Sequence, residues 1–247
     1  MNGLRELALG DEEKAMEHLK DSVHLTDGAF LAGFLALKKG HLDEAQDYLT
    51  RAAEKHQELG KYLDKYGVSA IMCLSITDEV TANVGPDLRG VLLALVEIYQ
   101  RKGEWQEAVS CLERLLELES DDVVVRLSLA ELLMDIHPGD REAYQRVVQL
   151  AEGVTNETPI HTALLFYKAR ALRELGLRNA ARDILTQALR RKKGRSPELL
   201  KALRYERALV YEALGQKRRA RADLEKIYAE DPDYSGGSSI TGTKSGV

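Results

Sequence analysis

At five points along this chain a glycine that follows a helical run is itself followed five residues later by an alanine: Gly10 and Ala15, Gly40 and Ala45, Gly103 and Ala108, Gly176 and Ala181, Gly215 and Ala220. Each glycine ends one run of helical apolar periodicity, and a second amphipathic run begins just after it, as in GHLDEA and GEWQEA. Glycine stops the first helix because it takes the left-handed conformation at little cost. Alanine then marks the place on the second helix where its partner crosses, and a larger side chain would force the two axes apart. Small residues also recur seven positions before the glycine, at Gly33, Ala169 and Ala208, with Val96 as the departure. The pattern therefore predicts helix–turn–helix units.

These residues resemble the tetratricopeptide repeat, a two-helix unit of about 34 residues in which a small residue follows the turn glycine by five and a proline often closes the unit. Segments 28–53, 91–118, 162–189 and 201–232 match best, the last ending at Pro232. The resemblance implies an all-α fold, a right-handed solenoid of antiparallel helix pairs with about five to six repeats. The two longest intervals between turn glycines are each near two periods. Segment 121–153 reads as a degenerate unit turning at Pro138 and Gly139. The other interval is less regular. Residues 42–66 read as one long helix, and Met72, Ile76, Val80 and Val84 form an i, i+4 stripe that predicts a further amphipathic helix before Gly85–Pro86. The expected division is 1–66, N-terminal repeats; 67–86, an irregular helical insertion; 87–234, C-terminal repeats; and 235–247, a Gly/Ser/Thr tail or linker-fused peptide. That last stretch, SGGSSITGTKSGV, has a linker's composition. If held, it would lie extended in a groove, with Ile240 as an apolar anchor and the Val247 carboxylate near basic side chains.

Composition narrows the function. Strong helix formers dominate, and no stretch approaches the roughly 20 apolar residues of a membrane helix. The opening MNGLRELALGDEEKAM has acids where a secretory signal would be basic and then apolar, so a cytoplasmic chain is expected. Cys73 and Cys111 are far apart and read as buried, reduced thiols. The six histidines include no i, i+4 metal pair, and no phosphate-binding glycine loop or nucleophile motif occurs. The expectation is no catalytic, cofactor or metal site, and no enzyme.

The resemblance implies a concave groove lined by the first helix of each unit. Ten residues before the turn glycine stand Phe30, Leu93, Leu129, Phe166 and Tyr205; six before it stand Phe34, Glu97, Leu133 and Arg170; Arg173 lies one turn further on. Two readings stay open. These side chains form an apolar groove with a few charges, fit for a peptide or an amphipathic helix, or some of them are core. Self-association through the same surface, giving a homo-oligomer, is a third use. The Lys, Asn and Arg set with which some family members clamp a C-terminal carboxylate is absent.

Charge is uneven. The net is −5, yet residues 165–226 hold 18 Lys and Arg against 7 Asp and Glu. Arg190, Arg191, Lys192, Lys193 and Arg195 fall at a helix end and the loop before Pro197, and Lys217, Arg218, Arg219 and Arg221 open the helix after Gly215. Cations at a helix C-terminus are favoured by its dipole, so part of the run is structural. Its functional reading is an acidic protein partner. Nucleic acid is disfavoured, because only Tyr205 and Tyr211 interleave with the basic residues. The function expected is a protein–protein interaction scaffold or adaptor. The alternatives are a nucleic-acid-associated helical repeat using the basic C-terminal third and a self-assembling scaffold.

Overall fold

The structure, a computed structural model, describes residues 2–77 and 80–234. They form two compact units, one of residues 2–74 and 82–120, the other of residues 121–234 together with 75–77, 80 and 81. In the first, α1 (Asn2–Leu9) packs on α2 (Glu12–Lys20), and α3 (Thr26–Lys38) on α4 (Leu42–Glu54). A 3-10 turn (His56–Glu58), α5 (Lys61–Lys65) and the strands β1 (Met72–Thr77) and β2 (Val80–Val84), paired as a hairpin, follow. A third pair, α6 (Leu88–Lys102) and α7 (Trp105–Leu118), completes that unit. The second is three pairs: α8 (Val123–Ile136) with α9 (Arg141–Leu150), α10 (Pro159–Glu174) with α11 (Arg178–Ala188), and α12 (Pro197–Ala213) with α13 (Lys217–Glu230).

The helix pairs form through the expected glycine turns and alanine crossings. Gly10, Gly40, Gly103, Gly176 and Gly215 all hold φ between 73° and 81°, in the left-handed region. The five alanines that follow them are buried to within 2 %. Backbones approach so closely at Gly33 that a methyl there would lie 2.6 Å from Leu49 Cγ on the partner helix. The degenerate unit is present as α8 and α9, turning at Gly139 with φ 88°. Helix starts are built locally. Asp122 accepts from the Val124 and Val125 amides, and Ser196 accepts from the Leu199 amide with Pro197 at the first helical position.

Three expectations are corrected. Residues 42–66 are not one helix: α4 stops at Glu54, and Gly60, at φ 83°, separates the 3-10 turn from α5. Residues 67–86 hold a β-hairpin rather than an amphipathic helix. The stripe falls on alternate residues within each segment, Met72 with Ile76 and Val80 with Val84, a spacing that a strand's period of two also accommodates, and Leu74 of β1 and Val84 of β2 are buried. Thr, Val and Ile in MCLSIT and VTANV favour the strand. Cys73, on β1, is exposed rather than buried, and Cys111 is half-buried. The tail read at 235–247 lies outside the described residues.

Candidate functional site

Most of the first-helix row is inside the protein. Phe30, Phe34, Leu93, Leu129, Leu133 and Phe166 are buried, and Phe30 stacks at a tilt on Phe34, with ring centroids 4.8 Å apart. A side chain without access to solvent cannot line an open groove, so these residues are packing positions. Glu97, Arg170, Arg173 and Tyr205 keep partial exposure. Glu97 is tied to Arg101 one turn along α6. Arg173 reaches from α10 to the buried Glu206 of α12. Tyr205 meets Tyr234 edge-on, with centroids 5.9 Å apart.

The cations of the second unit divide into held and free. On α12, Lys201, Arg204 and Arg207 recur every three residues and face acids at the other side of the last pair. Lys201 Nζ lies 2.7 Å from Asp231, Arg204 Nη1 3.0 and 3.2 Å from the two Glu230 oxygens, and Arg207 donates twice to Asp223. Arg195, read as part of an exposed basic run, is buried instead. Its Nε donates to Thr162 Oγ1 at 2.6 Å and its Nη2 to Asn156 Oδ1 at 3.2 Å. Asn156 also donates from Nδ2 to the Ala188 carbonyl at 2.8 Å, closing the end of α11. Arg195 is therefore a structural residue, and burial together with the nearby Arg191 lowers its pKa. Arg190, Arg191, Lys192 and Lys193 are exposed.

Two of these meet further cations in space. The end of α11, the loop after it, α12 and α13 enclose a cleft of about 300 Å³ lined by Thr186, Leu189, Arg190, Lys192, Arg204, Arg207 and Lys226. Five of its seven lining residues are cationic and none is acidic. Lys193 is not among them, and Arg191 turns to the Asn156 carbonyl at 3.3 Å.

A tetratricopeptide-repeat family model matches residues 91–122, and a second matches 202–234. The chain belongs to the tetratricopeptide-repeat superfamily. Solved repeat proteins share its fold. A tetratricopeptide repeat protein from Parabacteroides merdae aligns at TM-score 0.57 and 17% identity, over 92% of this chain and 77% of its own. BtubC from P. vanneervenii aligns at 0.60 and 15%, over 95% and 94% of the two chains. YrrB, a tetratricopeptide protein with an unusual peptide-binding site, aligns at 0.57 and 16%, over 91% and 94%. No curated protein matches by sequence. Repeats of this family build protein-interaction scaffolds, and this tetratricopeptide-repeat chain is one in that general sense.

Among the described residues of this repeat protein, no group of three or more His, Cys, Asp or Glu could hold a metal ion, and no helix is long and apolar enough to cross a membrane. Sequence reading missed Arg204, Arg207 and Lys226 as cleft residues. The available signal was the spacing of three along α12, which sets 201, 204 and 207 on neighbouring turns of one side.

Proposed function

We propose that this tetratricopeptide-repeat protein is an adaptor that docks an acidic segment of a partner protein in the basic cleft of its second unit. The observation that carries this reading is the lining itself: Arg190, Lys192, Arg204, Arg207 and Lys226 converge on one concavity without a carboxylate among the lining residues. Such a site concentrates positive potential and attracts a segment of opposite charge. Arg204 and Arg207 are already paired, so the attraction comes chiefly from Arg190, Lys192 and Lys226. The partly exposed Arg170, Arg173 and Tyr205 offer a second region for the same partner. The peptide-binding site of YrrB, a protein of similar fold, agrees with a role in holding peptides. The cleft has no aromatic lining, so it lacks the stacking platform that single-stranded nucleic acid uses. Binding rather than catalysis is the activity proposed.

The test replaces Arg190, Lys192 and Lys226 with Glu together and measures binding of a labelled Asp/Glu-rich peptide at low salt. All three are exposed, so the fold should persist. The proposal expects wild-type binding that weakens with salt and is lost in the triple variant. Equal binding by the two proteins would refute it. A single-stranded oligonucleotide that binds the cleft while the acidic peptide does not would transfer the site to the nucleic-acid reading.

A further inference from the structure

We infer that the cleft is built for a phosphorylated side chain, a phosphoserine or phosphothreonine carried on the acidic segment. This rests on the docking reading above and goes beyond it by naming the group that fills the site.

The first ground is charge. Arg204 with Glu230 and Arg207 with Asp223 are neutral pairs, so the cleft's uncompensated charge is that of Arg190, Lys192 and Lys226. One carboxylate leaves most of it unmet. A phosphate monoester carries about −1.5 to −2 and three strong acceptor oxygens, so it takes donors from several directions at once. The three free cations come from separate places, Arg190 just past α11, Lys192 in the loop and Lys226 on α13, which suits a tetrahedral acceptor better than a planar one.

The second ground is a donor fork already in position. Arg204 is 8% exposed and held to Glu230 through Nη1, and among the described residues no side chain or carbonyl accepts from its Nε or Nη2. Those two nitrogens are the fork that grips an oxyanion with two parallel bonds. Arg207 uses Nε and Nη2 on Asp223 and keeps Nη1. Both arginines are thus fixed by their carboxylates before any ligand arrives, so ordering them adds little to the cost of binding. Buried Leu189 contributes an apolar wall.

The third consideration separates a phosphate from a carboxylate by titration. The groups at the cleft are Arg190, Lys192, Arg204 and Arg207, Lys226 from α13, and the paired Asp223 and Glu230. No histidine stands among them. Over mildly acidic pH, the change in affinity will therefore come from the ligand, because the second phosphate ionisation falls near about pH 6.

The experiment uses the full chain and three labelled peptides that differ at one position, phosphoserine, Glu or Ser, in a background of Gly, Ser and Asp. At about pH 7.5 the phosphopeptide should bind about tenfold more tightly than the Glu peptide, and the advantage should shrink several-fold by about pH 5.5. Arg204→Lys keeps the charge and removes the fork, so it should weaken phosphopeptide binding and abolish most of its advantage over the Glu peptide. Should circular dichroism show that variant unfolded, Lys192→Gln, at an exposed position, should reduce the phosphopeptide's advantage without loss of structure. Equal affinity for phosphoserine and Glu peptides in the wild type overturns the phosphate inference and leaves acidic docking standing. Failure of both peptides to bind at low salt overturns both.

Discussion

Arg207 of α12 and Asp223 of α13 form a bidentate ion pair, with Nε and Nη2 each 2.7 Å from a carboxylate oxygen, and the Asp223 side chain is only 4 % exposed. Removing the acid alone strands a guanidinium that is 16 % exposed and shares its cleft with Arg204 and Lys226. Asp223→Ala should cost about 2–4 kcal/mol, below the full value for a buried pair because Arg207 retains some water. Urea denaturation reads this directly. Adding Arg207→Met to Asp223→Leu should recover most of the loss, since a packed apolar pair replaces the ionic one.

The helix crossings make a second set of expectations. Ala181 is fully buried where α10 meets α11, so Ala181→Leu should destabilise by about 1–3 kcal/mol through overpacking. Gly33→Ala adds only a methyl, but that methyl meets Leu49 at 2.6 Å, and a loss of similar size is expected. Unchanged thermal midpoints in both variants would contradict the crossing geometry.

Phe166 and Tyr205 occupy the same place relative to their turn glycines, yet they should respond differently. Phe166 is buried and lies edge-on to Tyr167, whose hydroxyl donates to Glu131 and is held well above its usual pKa by burial and then by that carboxylate. Phe166→Ala should cost about 3–5 kcal/mol. Tyr205→Ala loses chiefly the contact with Tyr234 and should cost about 1 kcal/mol. Denaturant midpoints for the two variants, taken side by side, check the ranking.

The two thiols should react at different rates. Cys73 is exposed on β1, whereas Cys111 is half-buried in α7 and burial pushes its thiol up to about 11. Alkylation proceeds through the thiolate. At neutral pH iodoacetamide should label Cys73 first, by at least about tenfold in rate, and Cys111 should follow only on unfolding. Mass spectrometry of a labelling time course distinguishes the sites.

What the sequence made legible follows distance along the chain. The glycine–alanine offset is a steric requirement within one hairpin, so it could be read from a short window, and it located the paired helices. The insertion could not be read so easily, because a period of four is contained in a period of two and the stripe from Met72 to Val84 fits either element. The first-helix row failed as a groove for another reason. Which face of a helix stays open depends on what packs over it, and that is not written in the helix. The cleft was harder still. Arg190, Arg204 and Lys226 belong to separate segments and meet only after α11, α12 and α13 have packed. Arg195 shows the converse. It sits inside a conspicuous basic run, but Thr162 and Asn156, more than thirty residues earlier, draw it indoors.

Asp27 gives α5 an unusual dependence. Its carboxylate, on α3, accepts from the amides of Gly60, Tyr62 and Leu63 at 2.6, 2.9 and 3.0 Å. The helix it caps has five residues, too few to persist by itself in water. Formation of α5 is therefore subordinate to α3, from which its cap is borrowed across the intervening chain. In a hydrogen-exchange experiment, the protection of those three amides would measure how intact α3 is. This five-residue helix thus serves as a reporter on the helix pair that precedes it.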